Sequence, residues 1–161
     1  MAEVTVLGIG NLLMRDEGIG VRLLAAARDA RDWPEQIEFV DGGAGGLNLL
    51  NVIEQARRLV VFDAADMQLA PGECRVVEPE QIADEPPEHR VSLHDLPFME
   101  TLKLCRRFTR GPGFVRLLVV QPKTIEFSRQ LSEDLTKAFG SLVETAVTLL
   151  TQVAREAGLA T

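Results

Sequence analysis

The chain has 161 residues, of which 46% are hydrophobic and 25% are charged, and its formal net charge at pH 7 is −7. This length and apolar content predict a single domain over residues 1–161 with a sizeable core, and they exclude a disordered chain. The acidic balance and an aromatic content of 5% argue against nucleic acid as a partner, because a polyanion would be repelled and few rings could stack on bases.

The spacing of the cysteines and the length of the apolar runs indicate the cellular compartment of the protein. Cys74 and Cys105 lack the CxxC spacing of a redox or zinc site, and no basic-then-apolar leader follows Met1. No apolar run approaches the roughly 20 residues that span a bilayer. We therefore expect a cytoplasmic protein with reduced cysteines and no membrane partner.

Short apolar runs alternate with amphipathic stretches along the chain. In chain order they predict a strand at 4–7, a helix at 18–31, a strand at 37–40, a helix at 47–56, strands at 59–62 and 73–77, a helix after Pro97, a strand at 114–120 and a long helix at 128–158. Residues 78–91 contain three prolines among acidic residues, and we predict a surface loop there that brings His94 toward a site.

This alternation predicts a three-layer α/β/α fold with a mostly parallel, five-stranded twisted sheet and right-handed crossovers, of the phosphorylase/hydrolase-like kind. The strand at 73–77 follows its predecessor after a ten-residue connection without a helical pattern. Because a parallel crossover needs a longer connection, we predict that this strand is antiparallel and lies at an edge.

A doubly wound sheet binds ligands beyond the carboxyl ends of its strands, where the strand order reverses. Glu17, Asp63 and His94 all follow predicted strands and are expected to meet there. Two carboxylates and an imidazole suit first-row divalent metals and leave positions open for water or substrate. Asp41, which follows the second strand, is a possible fourth catalytic acid in the same cleft.

Each of these residues also has a structural interpretation. Glu17, with Asp16, could be a carboxylate that stabilises a helix N-terminus, and Asp63 could cap a turn. Asp41 could fix the glycine loop that follows it through a hydrogen bond to the backbone. His89 could take the place of His94, and spacing alone leaves this choice open.

Two further patterns allow other readings. The sequence Gly8-Ile9-Gly10 begins a GxGxxG nucleotide fingerprint, but Leu13 occupies the third glycine position and nearby acids would repel a pyrophosphate. A run of five cations within fourteen residues is either a solvated helix face or a docking surface for an acidic partner. These cations are Lys103, Arg106, Arg107, Arg110 and Arg116.

The sequence GIGNLLMRDEGIG at residues 8–20 resembles the opening signature of the nickel-iron hydrogenase maturation proteases. The resemblance continues in the family's order through VDGG at 40–43, VVFDA at 60–64 and SLHDLP at 92–97, and it covers most of the chain. One departure is Ala44, where many members carry Thr in a loop that is expected to help choose the precursor.

The resemblance implies an aspartic-type endopeptidase that recognises nickel in a hydrogenase large-subunit precursor and removes the precursor's C-terminal extension. It also implies that Glu17, Asp63 and His94 bind the metal, which selects His94 over His89. The nickel is expected to arrive with the substrate, although other divalent metals can occupy such a site. We expect a monomer, and the alternative is a precursor-binding chaperone that does not hydrolyse.

Overall fold

The computed structural model describes residues 1–84 and 96–161, so the predicted ligand His94 and its alternative His89 lie outside the described residues. In chain order the elements are β1 Val4–Gly8, a 3-10 helix Arg15–Gly18, α1 Ile19–Asp29, β2 Ile37–Asp41, a 3-10 helix Leu47–Leu49, α2 Leu50–Gln55, β3 Arg58–Ala64, β4 Cys74–Val77, α3 Pro79–Asp84, α4 Pro97–Phe108, β5 Phe114–Val120 and α5 Glu133–Glu156.

The five strands form one sheet in the order β2-β1-β3-β5-β4. β1 pairs in parallel with β2 and β3, and β3 pairs in parallel with β5, whereas β4 is antiparallel to β5 at an edge. The mostly parallel sheet and its antiparallel edge strand are therefore confirmed. Because the chain places β2 on one side of β1 and β3 on the other, strand order reverses between β1 and β3, and a crevice opens at their carboxyl ends.

Helices cover both faces of the sheet and make the predicted three layers. Alternate residues of β3 face opposite sides, with Val60 and Phe62 in one core cluster and Leu59 and Val61 in the other. The first cluster is completed by α1 and α5, and the second by α2, α3 and α4. All of β1 and residues 59–63 of β3 are buried, as is typical of a parallel sheet covered on both faces.

The segment after β4 differs from the surface loop predicted for 78–91, because residues 79–84 form the short helix α3. Pro79 is its first residue, where the missing N–H costs no helical hydrogen bond. The side chain of Gln81 accepts a hydrogen bond of 3.0 Å from the backbone N–H of Glu78, as in a capping box. Ile82 is only 1% exposed and anchors the helix in the core.

The long final helix, α5, begins at Glu133, five residues after the predicted start. Ser132 is its N-cap, and the Ser132 side chain accepts a hydrogen bond from the backbone N–H of Leu135. Residues 121–131 therefore form a loop at the carboxyl end of β5. Although α5 has 24 residues, no helix within residues 1–84 and 96–161 is long and apolar enough to cross a membrane.

Candidate functional site

The loops that follow β1 and β5 meet across the carboxyl end of the strand between them, β3. The backbone N–H of Arg15 donates to the Ser128 carbonyl at 2.9 Å, and the N–H of Ser128 donates to the Leu13 carbonyl at 2.9 Å. A parallel bridge between Met14 and Ser128 completes this pairing. Since Asp63 lies near the carboxyl end of β3, the joined loops are brought to the end of the sheet that carries it.

Asp16 fastens these two loops together. Its carboxylate is completely buried and accepts hydrogen bonds from the backbone N–H groups of Ser132 at 2.7 Å, Lys123 at 2.9 Å and Thr124 at 3.2 Å. Three donors compensate this buried charge, so Asp16 has a structural role. In a 3-10 helix consecutive side chains diverge by about 120°. The neighbouring Glu17 is accordingly left half-buried, with its carboxylate free of this network.

Close glycine packing places the Glu17 turn against the sheet. A Cβ at Gly20 would lie 2.2 Å from the Ile9 carbonyl oxygen and 2.3 Å from that of Phe62, so α1 touches both central strands where a larger residue could not. A Cβ at Gly10 would lie 2.1 Å from the carbonyl oxygen of Glu17. The first glycine turn is therefore filled by the protein's own backbone, which gives the nucleotide-binding reading no support.

Asp63 is the buried acid of the site, with 5% of its surface exposed. One carboxylate oxygen accepts a hydrogen bond of 2.8 Å from the backbone N–H of Ala64. The pKa of Asp63 is raised from 3.8 to about 7, mainly by burial and in smaller part by the negative charge of Glu17, while the hydrogen bond from the Ala64 N–H opposes this rise. Glu17 is thus close enough to act on Asp63 electrostatically, and a cation between the two would relieve both charges.

The loop after Asp63 is held by Gln121, a buried residue that the sequence did not single out. Its side-chain oxygen accepts hydrogen bonds from the backbone N–H groups of Met67 at 2.6 Å and Leu69 at 3.3 Å. Its side-chain nitrogen donates to Asp66 at 3.1 Å. In the sequence, the only indication of this role is that Gln121 is a polar residue directly after a buried strand, which is a weak signal.

Asp41 lies at the end of β2, on the strand next to β1. Its exposed carboxylate accepts a hydrogen bond of 2.8 Å from the backbone N–H of Gly43, and the Gly43 carbonyl accepts one of 2.7 Å from Gly10. The structural interpretation of Asp41 as the residue that fixes this loop is therefore supported. A catalytic role for its carboxylate stays a prediction.

The structure thus brings together two of the three predicted metal ligands, Glu17 and Asp63. In the part of the chain that the structure describes, no group of three or more His, Cys, Asp or Glu side chains could hold a metal ion. Leu96 is buried and α4 begins at Pro97. Since α4 leads to the start of β5, its first residues lie toward the same end of the sheet as Asp63.

The five cations of the basic stretch are divided between internal pairs and open surface. Arg106 pairs with Glu80 at 2.8 Å, and Arg116 pairs with Glu156 at 3.2 Å. Lys103, Arg107 and Arg110 are exposed. The more exposed of these pairs, Arg106 with Glu80, contributes little to stability. The docking surface for an acidic partner stays a prediction.

Comparison with known proteins gives one consistent result. A family model described as Hydrogenase maturation protease matches residues 21–149. The Hydrogenase expression/formation protein HupD of Rhizobium leguminosarum bv. viciae is 34% identical over 149 residues, which cover 92% of this chain and 74% of that protein. The corresponding protein HoxM of Azotobacter vinelandii is 36% identical, and this chain spans only 60% of its length.

Solved structures agree with this result. The hydrogenase maturating endopeptidase HybD from Escherichia coli superposes with a TM-score of 0.73 at 28% identity, covering 98% of this chain and 94% of that one. The solution structure of an endopeptidase from Escherichia coli gives a TM-score of 0.78 at 27% identity, covering 99% and 95%. The fold, including the antiparallel edge strand, is shared with these proteins.

Proposed function

Because the chain belongs to the hydrogenase maturation protease family, we propose that it is an endopeptidase that recognises nickel in a hydrogenase large-subunit precursor and removes the precursor's C-terminal extension. The observation that carries this proposal is the pair of acids at the switch point of the sheet. Asp63 is almost completely buried there and is raised in pKa to about 7, first by burial and also by the charge of Glu17.

Such a pair is costly without a counter-charge, and a divalent cation supplies one. In the proposal Glu17 and Asp63 bind the nickel that the precursor carries, and His94 adds an imidazole. In the sequence His94 precedes Leu96 by two residues, and Leu96 lies directly before α4. Three protein ligands leave positions for the precursor's own ligands, so the nickel is substrate and cleavage waits until it has been inserted.

Hydrolysis of the scissile peptide bond requires a water to be activated and the leaving amine to be protonated. The precursor-borne nickel can polarise the carbonyl or activate the water, while Glu17, Asp63 or Asp41 moves protons. An acid with a pKa near 7 exchanges protons readily at neutral pH. We assign the aspartic-type character of the enzyme to Glu17, Asp63 and Asp41 together.

The setting of the reaction follows from the substrate. A precursor that still carries its extension has not completed maturation, so the proposed place of cleavage is the cytoplasm, where the precursor is made. We propose that a monomer of this protein meets the precursor directly, without a membrane partner.

The test compares nickel-loaded and nickel-free precursor, with the C-terminal peptide followed by intact mass. We expect wild type to shorten only the nickel-loaded form, and Glu17→Gln, Asp63→Asn and His94→Ala to shorten neither. Glu133→Gln, an exposed acid on α5, is the matched control and should cleave at the wild-type rate. Equal cleavage of both precursor forms would reject nickel recognition.

A second measurement separates hydrolysis from binding alone. If wild type binds the nickel-loaded precursor and no shortened product forms, the protein is a precursor-binding chaperone and the endopeptidase proposal is wrong. If Ni²⁺ alone raises the melting temperature of wild type but not of Asp63→Asn, the acid pair binds the metal directly.

A further inference from the structure

Four large apolar side chains are exposed on the two loops that meet over β3. Leu12 and Leu13 are 42% and 43% exposed, and Ile125 and Phe127 are 55% and 81% exposed. We call these four residues the apolar collar. Large apolar side chains exposed on neighbouring loops commonly mark an interaction site.

The collar is held in place by the backbone, so its exposure does not come from loose loops. The side-chain oxygen of Asn11 accepts a hydrogen bond of 3.0 Å from the Leu13 N–H, and Ser128 pairs with the Leu13 carbonyl at 2.9 Å. The Asp16 carboxylate binds the N–H groups of residues 123 and 124, just before Ile125. A preformed surface loses little entropy when it binds a partner.

The charges between the collar residues are already neutralised. Arg15 pairs with Glu126 at 2.9 Å, and Lys123 pairs with Asp134 at 2.6 Å. Asp16 is used within the fold, as described above. The collar therefore offers apolar area rather than a charge for a partner to match, which favours an apolar segment over an acidic or basic one.

The collar is also continuous with the acid pair. Gly18 packs against Leu12, since a Cβ at Gly18 would lie 3.0 Å from the Leu12 Cα, and Glu17 belongs to the same turn. A polypeptide bound to the collar is thus brought to the carboxyl end of β3, where Asp63 lies.

We propose that the apolar collar binds an apolar segment of the hydrogenase precursor next to the nickel, and this inference rests on the function proposed above. The collar binds the polypeptide at a surface that is separate from the metal ligands. Glu17 and Asp63 then detect whether nickel is present, while the collar positions the precursor segment that is to be cleaved. A second copy of this protein is the competing occupant.

The experiment uses the full chain with Phe127→Ala, Leu13→Ala and the matched control Phe108→Ala. Phe108 is 73% exposed at the end of α4, toward the amino ends of the strands and away from Asp63. For nickel-loaded precursor we expect the two collar variants to raise KM and the separately measured Kd by about tenfold or more, with kcat and melting temperature unchanged. The control should change neither constant.

Unchanged Kd and KM in both collar variants would overturn the inference while leaving the endopeptidase proposal intact. Absence of any cleavage by wild type would reject that proposal instead, and the binding constants would still decide whether the collar grips the precursor. Sedimentation measures the oligomeric state and so tests whether a second copy of this protein occupies the collar. A wild-type dimer that Phe127→Ala converts to a monomer would make the second copy the occupant, and the inference would be wrong.

Discussion

The carboxylate of Asp16 accepts a hydrogen bond of 2.7 Å from the backbone N–H of Ser132, which lies 116 residues further along the chain. The same carboxylate binds two more N–H groups of the loop after β5. One buried side chain therefore ties the turn that carries Glu17 to the N-terminus of α5. The shape of the site depends on a residue that need not touch the substrate.

We expect Asp16→Ala to lower the free energy of unfolding by more than about 3 kcal/mol, because three backbone donors lose their acceptor in a buried space. Urea unfolding gives this value. Glu133→Ala is the control, since Glu133 forms an exposed ion pair with Lys137 at 2.9 Å and its removal should change stability by less than about 0.5 kcal/mol. Similar losses for both variants would contradict the role assigned to Asp16.

The stability of metal-free protein should depend on pH through Asp63. Its pKa is raised to about 7 in the fold, so between about pH 4 and pH 7 the folded chain keeps a proton that the unfolded chain releases. Stability therefore falls as pH rises through this window and levels off above it. The whole effect is on the order of 4 kcal/mol at most.

Asp63→Asn removes this titration while keeping an acceptor for the Ala64 N–H. In chelator-treated protein we expect the variant to melt above wild type at pH 8, with the difference shrinking toward pH 4. Melting curves of the two proteins that stay parallel across this range would show that Asp63 does not titrate as described.

The two glycines Gly20 and Gly140 should respond oppositely to alanine. At Gly20 the added methyl would meet two carbonyl oxygens at 2.2 and 2.3 Å, so α1 must move away from the sheet and we expect a loss of at least about 2 kcal/mol. Gly140 lies on the exposed face of α5 with nothing within 4 Å of the added carbon. Alanine there should stabilise by about 0.5–1 kcal/mol, because glycine is a poor helix former. Thermal unfolding of both variants is the measurement.

Gln121 should matter for the loop after Asp63 rather than for the core. Gln121→Leu leaves two backbone donors without their acceptor and removes one of the donors to Asp66, and we expect a loss of roughly 2–4 kcal/mol together with slower precursor cleavage. Gln121→Glu keeps the acceptor but faces Asp66 with a second carboxylate, so its loss should be intermediate. A Gln121→Leu enzyme with wild-type kcat would show that this loop does not position the site.

Much of the fold could be predicted because its signals are local. The strand at 114–120 is confirmed residue for residue, and the antiparallel edge strand followed from the length of one connection. The start of α5 was placed five residues early because the apolar pattern continues into the loop, and the cap at Ser132 decides the boundary. Likewise, a proline that was read as a loop signal begins α3.

The site was less predictable because its decisive contacts are distant. Asp16 and Glu17 are adjacent acids, and only the N–H groups of residues 123, 124 and 132 distinguish the structural one from the one left beside Asp63. That Glu17 and Asp63 would meet beyond the carboxyl ends of the strands followed from the α/β alternation and from the place of each acid after a predicted strand. The imidazole of His94 and the catalytic use of Asp41 stay predictions.

The hydrogen bond between Asp16 and Ser132 also determines when the site can form during synthesis of the chain. At a ribosomal rate of ~5–20 residues per second, the 116 residues from position 17 up to Ser132 take roughly 6 to 23 s to make. During that interval the turn with Glu17 already exists, but the partners that shape it have not been translated. A nascent chain therefore contains Glu17 and Asp63 before the site around them has formed. Proteolytic competence begins only when synthesis has nearly finished.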